Sequence, residues 1–154
     1  MNSNQAIKVE PVQKQLKVRL QREAAFKLFT EGIGTWWPLA IHSVGEELAE
    51  TCFFEGQVGG RIYEVKSDGS QAEWGKVLAW EPGEEVVFQW YPGRTPETAQ
   101  EVTVRFSEIP AGTLVELVQT GWETLGAEAP ASRDGYDIGW DFVLANYVIA
   151  AADK

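Results

Sequence analysis

Cysteine and histidine are almost absent from this sequence, which contains one residue of each, Cys52 and His42. A single cysteine excludes an intrachain disulfide and a cysteine metal cluster. A single histidine leaves too few imidazole groups for a typical zinc site and has no predictable partner for a nucleophilic triad. We therefore expect no metal, no cofactor and no catalytic residue that the sequence can name.

Long hydrophobic runs are also missing. The first 15 residues are polar and mixed in charge, so they lack the apolar centre of a signal peptide. No stretch of about 18 apolar residues occurs anywhere in the sequence. We expect a cytoplasmic protein with no membrane partner. Its 154 residues fit one domain, 1–154, of which we expect residues 1–13 to be flexible.

Basic residues are outnumbered, since 13 Lys and Arg face 23 Asp and Glu and the formal net charge is −10 at pH 7. Such a surface repels phosphate backbones, which argues against nucleic acid as a partner. The phosphate-binding patterns GxGxxG and GxxxxGK are absent as well. A nucleotide site would therefore lack its usual anion cradle.

Turn signals recur at regular intervals through the middle of the chain. Residues 14–20 alternate apolar and polar side chains, which is typical of a half-buried strand. Residues 21–30 carry apolar side chains at helical spacing and predict a short helix. Between residues 51 and 120, turn residues such as Gly59-Gly60, Asp68-Gly69 and Pro82-Gly83 recur roughly every 8 to 14 residues. This pattern predicts an antiparallel meander of about six strands.

The C-terminal segment has the pattern of a long helix of about 18 residues that begins at Arg133 or Gly135, after a loop at 126–134. An inner apolar stripe consists of Trp140, Val143, Leu144, Tyr147 and Ala151, and a second stripe, on another side, contains Phe142 and Ile149. A helix that is apolar on two sides must be covered on both or lie beside a cavity. The order of elements predicts an α+β fold of the helix-grip type. In it, a curved antiparallel sheet of about six to seven strands surrounds a long C-terminal helix.

Several sequence segments match a known family in their order and spacing. They are AFKLFTEGIGTWWP at 25–38, FEGQVGGRIYE at 54–64, WGKV at 74–77 with WEP at 80–82, VVFQW at 86–90, GT at 112–113, GWE at 121–123 and GW at 139–140. The chain resembles the SRPBCC (START-like) superfamily over residues 18–148, and in particular bacterial homologues of the heat-shock protein 90 ATPase activator (Aha type). The resemblance implies a helix-grip fold with a cavity between sheet and helix. Gln119 stands where many relatives have His, so chemistry that needs that His is not expected.

Aromatic residues are abundant, with seven Trp, seven Phe and four Tyr. Such residues either fill a core or line an apolar pocket, and both alternatives are open here. One β-bulge would exchange the two faces of a strand, so the face that lines the cavity is not fixed by sequence. The residues that we predict to line a ligand cavity are Trp36, Trp37, Phe54, Tyr63, Trp74, Phe88, Trp90, Trp122, Trp140, Leu144 and Tyr147.

Two pairs of polar residues are further candidates. The hydroxyls of Tyr63 and Tyr147 either orient the polar end of a ligand or bond to backbone and water, as buried tyrosines usually do. Glu55 and Arg61 flank the Gly59-Gly60 turn, where they either pair inside the cavity or form an exposed ion pair of little energetic value.

Three functions remain open. The leading hypothesis is a START-like module that binds an apolar or aromatic small molecule. The second, implied by the resemblance alone, is a co-chaperone-like domain with a chaperone contact or a homodimer interface. The third is an enzyme of the cyclase or dehydratase type, with Tyr63 and Glu55 as its candidate ionisable pair.

Overall fold

The computed structural model describes residues 9–154 and contains one seven-stranded antiparallel sheet in the order β1-β7-β6-β5-β4-β3-β2. The strands are β1 (Val12–Val18), β2 (Ala49–Phe54), β3 (Arg61–Lys66), β4 (Gln71–Glu81), β5 (Glu85–Trp90), β6 (Gln100–Ile109) and β7 (Gly112–Thr120). Helix α1 (Arg22–Phe29) follows β1, and helix α2 (Ala129–Ala152) follows β7. The sheet is curled around α2, which confirms the predicted helix-grip fold.

Strand β1 lies at one edge of the sheet and pairs with β7, the last strand of the chain. It begins directly after Pro11, which has no N–H to donate and therefore suits the start of an edge strand. Val12 is fully buried and pairs with Gln119. Part of the segment 1–13 that we expected to be flexible therefore belongs to the sheet, and residues 1–8 lie outside the described residues.

The hairpin turns form where glycine signals predicted them. Gly59 and Gly69 have φ angles of +84° and +85°, in the left-handed region that favours glycine. Each lies in a connection between two neighbouring strands, β2–β3 and β3–β4. The meander from β2 to β7 thus follows from local turn chemistry.

Helix α1 packs in the space between the sheet and α2. Its Phe26 ring lies 4.9 Å from the ring of Trp80 and 5.2 Å from that of Phe106, measured between centroids. The Phe29 ring lies 5.3 Å from the ring of Tyr147 on α2. These edge-on aromatic contacts fill the part of the interior that lies against α1.

Helix α2 has 24 residues and starts at Ala129, so the predicted loop at 126–134 is wrong over most of its length. Pro130 lies in the first turn, where a missing N–H costs nothing and the fixed φ suits a helix. The predicted inner stripe of the helix is buried. The second stripe is exposed instead of covered, since Phe142 and Ile149 retain 46% and 63% of their accessible surface.

Charged side chains fasten the N-terminal half of α2 to β1. The Lys14 ammonium lies 3.0 Å from a carboxylate oxygen of Asp137 and 2.9 Å from one of Asp141. Arg133 donates to the backbone carbonyls of Glu10 and Pro11 at 3.1 and 3.0 Å.

Within residues 9–154, no helix combines the length and the apolar character needed to cross a membrane.

Candidate functional site

A cavity of about 510 Å³ lies between α2, the loop of residues 37–44 and the adjoining parts of β4 and β5. Its volume falls within the range of about 300–1,000 Å³ that is usual for small-molecule sites. Ser132, Gly135 and Gly139 of α2 line one side, and Pro92 and Gly93, directly after β5, line another. The space between sheet and helix is therefore open at this end of the molecule.

Four tryptophans from four different parts of the chain form a continuous wall of this cavity. Trp37 comes from the loop, Trp74 from β4, Trp90 from β5 and Trp140 from α2. The Trp90 ring lies 5.7 Å from Trp37, 5.7 Å from Trp74 and 5.9 Å from Trp140, between centroids. Each ring contacts another in a tilted or edge-on arrangement, which is the favourable geometry for aromatic pairs. We call these four residues the tryptophan wall.

A β-bulge places Trp74 in this wall. In the pairing of β3 with β4, Ile62 lies opposite Gly75 and Tyr63 lies opposite Glu73, so Trp74 is the extra residue. A bulge redirects the side chain at the point where it interrupts the ladder. Trp74 and Gly75 are both buried, although neighbours in a regular strand point to opposite faces.

The polar edges of three wall residues are satisfied by the protein itself. The indole N–H of Trp37 donates to the His42 carbonyl at 2.6 Å, and that of Trp140 donates to Gln119 Oε1 at 2.7 Å. The indole N–H of Trp74 donates to Glu64 Oε1 at 2.6 Å. Because these three N–H groups already have acceptors, Trp37, Trp74 and Trp140 offer a ligand their apolar surface.

Glu64 is a fully buried carboxylate directly behind the tryptophan wall. Besides the Trp74 indole, it accepts the backbone N–H of Val44 at 2.6 Å through Oε1 and that of Gly45 at 2.8 Å through Oε2. Hydrogen bonds to an ionised carboxylate are stronger than those between neutral groups. One side chain of β3 thus fixes both a wall residue and the loop that closes the cavity.

His42, the single histidine of the sequence, lies in the cavity lining. Its ring lies 5.4 Å from the ring of Phe142 and packs over Gly139, where a Cβ would be 3.5 Å from His42 Cε1. The imidazole therefore lies within van der Waals distance of α2 at Gly139. Burial lowers the pKa of His42 below its ordinary value, so the ring is neutral at pH 7.

The lowered pKa predicts that His42 makes folding sensitive to acid. In the pH range between the lowered pKa and the ordinary value of 6.5, the unfolded chain binds more protons than the folded chain. Protonation of His42 in the unfolded chain therefore lowers the free energy of unfolding as the pH falls through that range. Urea denaturation at about pH 7.5 and about pH 5 should show a larger loss for the native sequence than for His42→Gln. Equal losses would contradict the prediction.

The structure brings four of the predicted ligand residues to the cavity, namely the tryptophan wall. Six others are buried in the packed interior outside the cavity lining: Trp36, Phe54, Phe88, Trp122, Leu144 and Tyr147. Trp36 donates to the Leu28 carbonyl at 2.8 Å and packs on Phe29 and Tyr147. The two adjacent tryptophans, Trp36 and Trp37, thus point in different directions.

The two tyrosine hydroxyls do not reach the cavity. Tyr147 donates to the carbonyl of Ala25 at 2.8 Å, and burial raises its pKa. Tyr63 lies on the outer face of the sheet, where its ring is 5.4 Å from that of exposed Phe53 and 4.2 Å from the Arg61 guanidinium carbon. The prediction that Tyr63 lines the cavity fails because side chains alternate along β3, and Ile62 and Glu64 take the inner positions.

Glu55 and Arg61 meet across their turn, but by a side chain-to-backbone contact. Glu55 Oε1 accepts the backbone N–H of Arg61 at 2.7 Å, while the Arg61 guanidinium donates to Gln71 at 3.2 Å. Neither residue is part of the cavity lining. Tyr63 and Glu55 are therefore not assembled as an ionisable pair at this site.

Sequence reasoning missed Glu64 and the cavity role of His42. The available signal for Glu64 was its parity, since it shares a strand face with Ile62 and a charged residue at an inward position needs several hydrogen-bond partners. His42 carried no such signal, because its loop has no periodicity. Only the approach of α2 to that loop brings the imidazole to the cavity.

A match to a family model shows to which proteins this chain is related. The model described as activator of Hsp90 ATPase homolog 1-like protein matches residues 19–146. The chain belongs to this family. No curated protein sequence matches it significantly.

Solved structures share the fold of this family member along most of its length. A Mesorhizobium loti protein is 20% identical, with a TM-score of 0.65 and coverage of 94% of this chain and 97% of the other. The Aha1 dimer of Colwellia psychrerythraea is 17% identical, with a TM-score of 0.66 and coverage of 93% and 96%. An anthrahydroquino-γ-pyrone synthase is 28% identical, with a TM-score of 0.62 and coverage of 91% and 96%.

Proposed function

We propose that this member of the family binds an apolar, predominantly aromatic small molecule in the cavity beside the tryptophan wall. The observation that carries the proposal is the combination of about 510 Å³ of open space with four contiguous indoles and, among the described residues, no Asp, Glu, Lys or Arg in the lining. Burial of about 200 Å² of apolar ligand surface contributes about 5 kcal/mol, before the cost of association. Aromatic pairing adds about 0.5–1.5 kcal/mol for each well-placed ring.

Native mass spectrometry of the purified protein tests the proposal even while the ligand is unidentified. We expect an added mass that is lost on denaturation and belongs to an aromatic compound. Calorimetric titration with acridine, a neutral three-ring probe, should give a Kd in the micromolar range, roughly 1–100 μM. Absence of both a bound mass and a binding heat with acridine would contradict the proposal.

A second candidate is an enzyme that acts on a bound aromatic compound. It is favoured by the 28% identity to a solved anthrahydroquino-γ-pyrone synthase and by the neutral imidazole of His42 in the lining. An imidazole that is unprotonated at pH 7 has the free nitrogen lone pair that a general base requires. If His42 has this role, His42→Gln keeps the co-purified compound bound but stops its conversion. A chaperone contact and a homodimer remain predictions from the sequence.

A further inference from the structure

We propose that the cavity selects its occupant by charge, taking aromatic molecules that are neutral or positively charged and excluding carboxylates and other anions. The proposal rests on the proposed function, since it names the chemical class of the molecule that the cavity binds. It is carried by the composition of the lining and by the position of Glu64.

The lining offers an anion no compensating charge. Among the 15 described residues that form it there is no Lys or Arg, and His42 is neutral at pH 7 because burial lowers its pKa. The Ser43 hydroxyl donates within its own loop, to the Leu39 carbonyl at 2.6 Å. A carboxylate that entered this space would lose its hydration without gaining an ion pair, which is strongly unfavourable.

Glu64 supplies the opposite charge at close range. Its Oε1 atom lies 2.6 Å from the indole nitrogen of Trp74, whose ring lines the cavity. The donors that it accepts from, this indole and two backbone N–H groups, are all uncharged, so they satisfy its lone pairs without cancelling its charge. A carboxylate bonded to the N–H edge of an indole also makes the ring face more electron-rich. A cation over that face is therefore attracted both by the ring and by the charge behind it.

The geometry of the wall suits a flat aromatic molecule and is neutral with respect to its charge. The contacting rings meet at angles between 37° and 90°, so they form corners instead of one flat platform. A flat ligand in such a corner contacts ring faces and edges together.

The net charge of −10 adds a long-range attraction for cations and a repulsion for anions.

Two cations near the lining oppose this preference: Arg94, whose Nη2 atom lies 3.4 Å from the carbonyl oxygen of Trp90, and Lys66, which provides a test. A Cβ added to Gly45 would lie 3.0 Å from Glu64 Oε2 and 3.1 Å from Lys66 Cε. The Lys66 side chain and the Glu64 carboxylate thus both pack against Gly45, and a cation in that neighbourhood weakens the field of the carboxylate. Removal of this cation should strengthen the selection for positive charge.

A matched series of acridines measures the preference on one ring system. We would titrate 9-aminoacridine, acridine and acridine-9-carboxylate, which are a cation, a neutral molecule and an anion near pH 7.5, by isothermal calorimetry. The expected Kd of the cation is at least about tenfold below that of the carboxylate. If acridine binds but the cation and the anion bind equally, or the anion binds more tightly, the charge proposal is overturned and the binding function stands. If none of the three binds, the charge proposal fails, and the absence of a co-purified mass as well would overturn the proposed function.

Variants assign the preference to Glu64. Glu64→Gln should reduce the affinity ratio between cation and carboxylate by about fivefold or more, and Lys66→Gln should raise it about two- to fivefold. Glu108→Gln makes the same change in net charge at an exposed position at the far end of β6, and should leave the ratio within about twofold. If Glu64→Gln does not fold, Lys66→Gln decides alone, because an unchanged or lowered ratio contradicts the proposal.

Discussion

Replacement of Glu64 by Ala is expected to lower the free energy of unfolding by about 3–5 kcal/mol. The variant leaves three N–H donors without their acceptor: the backbone groups of Val44 and Gly45 and the indole of Trp74. Each unsatisfied buried donor costs about 1–3 kcal/mol. Some of that cost is avoided if the loop moves outward and its backbone reaches water, but then the cavity loses one of its sides.

Urea denaturation of Glu64→Ala and Glu55→Ala measures this effect against a matched control. Glu55 also lies near a strand end and accepts one backbone N–H, that of Arg61 at 2.7 Å, but it is only half-buried. Its replacement should cost about 1 kcal/mol. Glu64→Gln should fall between the two, because it keeps one acceptor oxygen. A loss for Glu64→Ala no greater than that for Glu55→Ala would show that the buried carboxylate does not hold the loop.

Replacement of Gly135 by Trp is expected to weaken the binding of acridine at least about 100-fold while the protein stays folded. Gly135 lines the cavity from α2, and a Cβ at this position meets no atom within 4 Å. A large side chain can therefore enter the cavity without displacing its walls. Removal of a helical glycine also stabilises the helix by about 0.5–1 kcal/mol, which offsets minor strain.

Gly135→Ala is the control for this variant. It brings at least as large a gain in helix stability, but its methyl group leaves the cavity open, so the acridine Kd should stay within about twofold of the native value. Thermal unfolding confirms that both variants fold, and calorimetry gives the two binding constants. If the Trp variant binds acridine as tightly as the Ala variant, acridine binds somewhere other than this cavity.

The fold is predictable because its signals are local. Turn residues mark the ends of the strands, and the inner stripe of α2, from Trp140 to Tyr147, follows helical spacing. The start of α2 is harder to predict because Pro130 is a common mark of loops, although proline is well tolerated in a first helical turn. The rule that proline marks a loop therefore gives the wrong start for α2, because Pro130 lies in the one part of a helix that accepts proline.

The site is predictable only in part because its geometry depends on contacts between distant segments. Register shifts interrupt β4 on both of its sides, at Trp74 and near Leu78, and each changes which side chains face the interior. Simple alternation therefore cannot assign the tryptophans of this strand. The sequence near Glu64 also contains no pattern that predicts its partners. Two backbone N–H groups of the loop, about 20 residues earlier in sequence, donate to its carboxylate.

The close spacing of the tryptophan wall has an optical consequence. Rings whose centroids lie 5.1–5.9 Å apart exchange excitation energy far faster than they emit light. The four indoles therefore act as one chromophore, whose emission comes from the member with the lowest excited state. A quencher that contacts the emitting member therefore quenches the emission of all four.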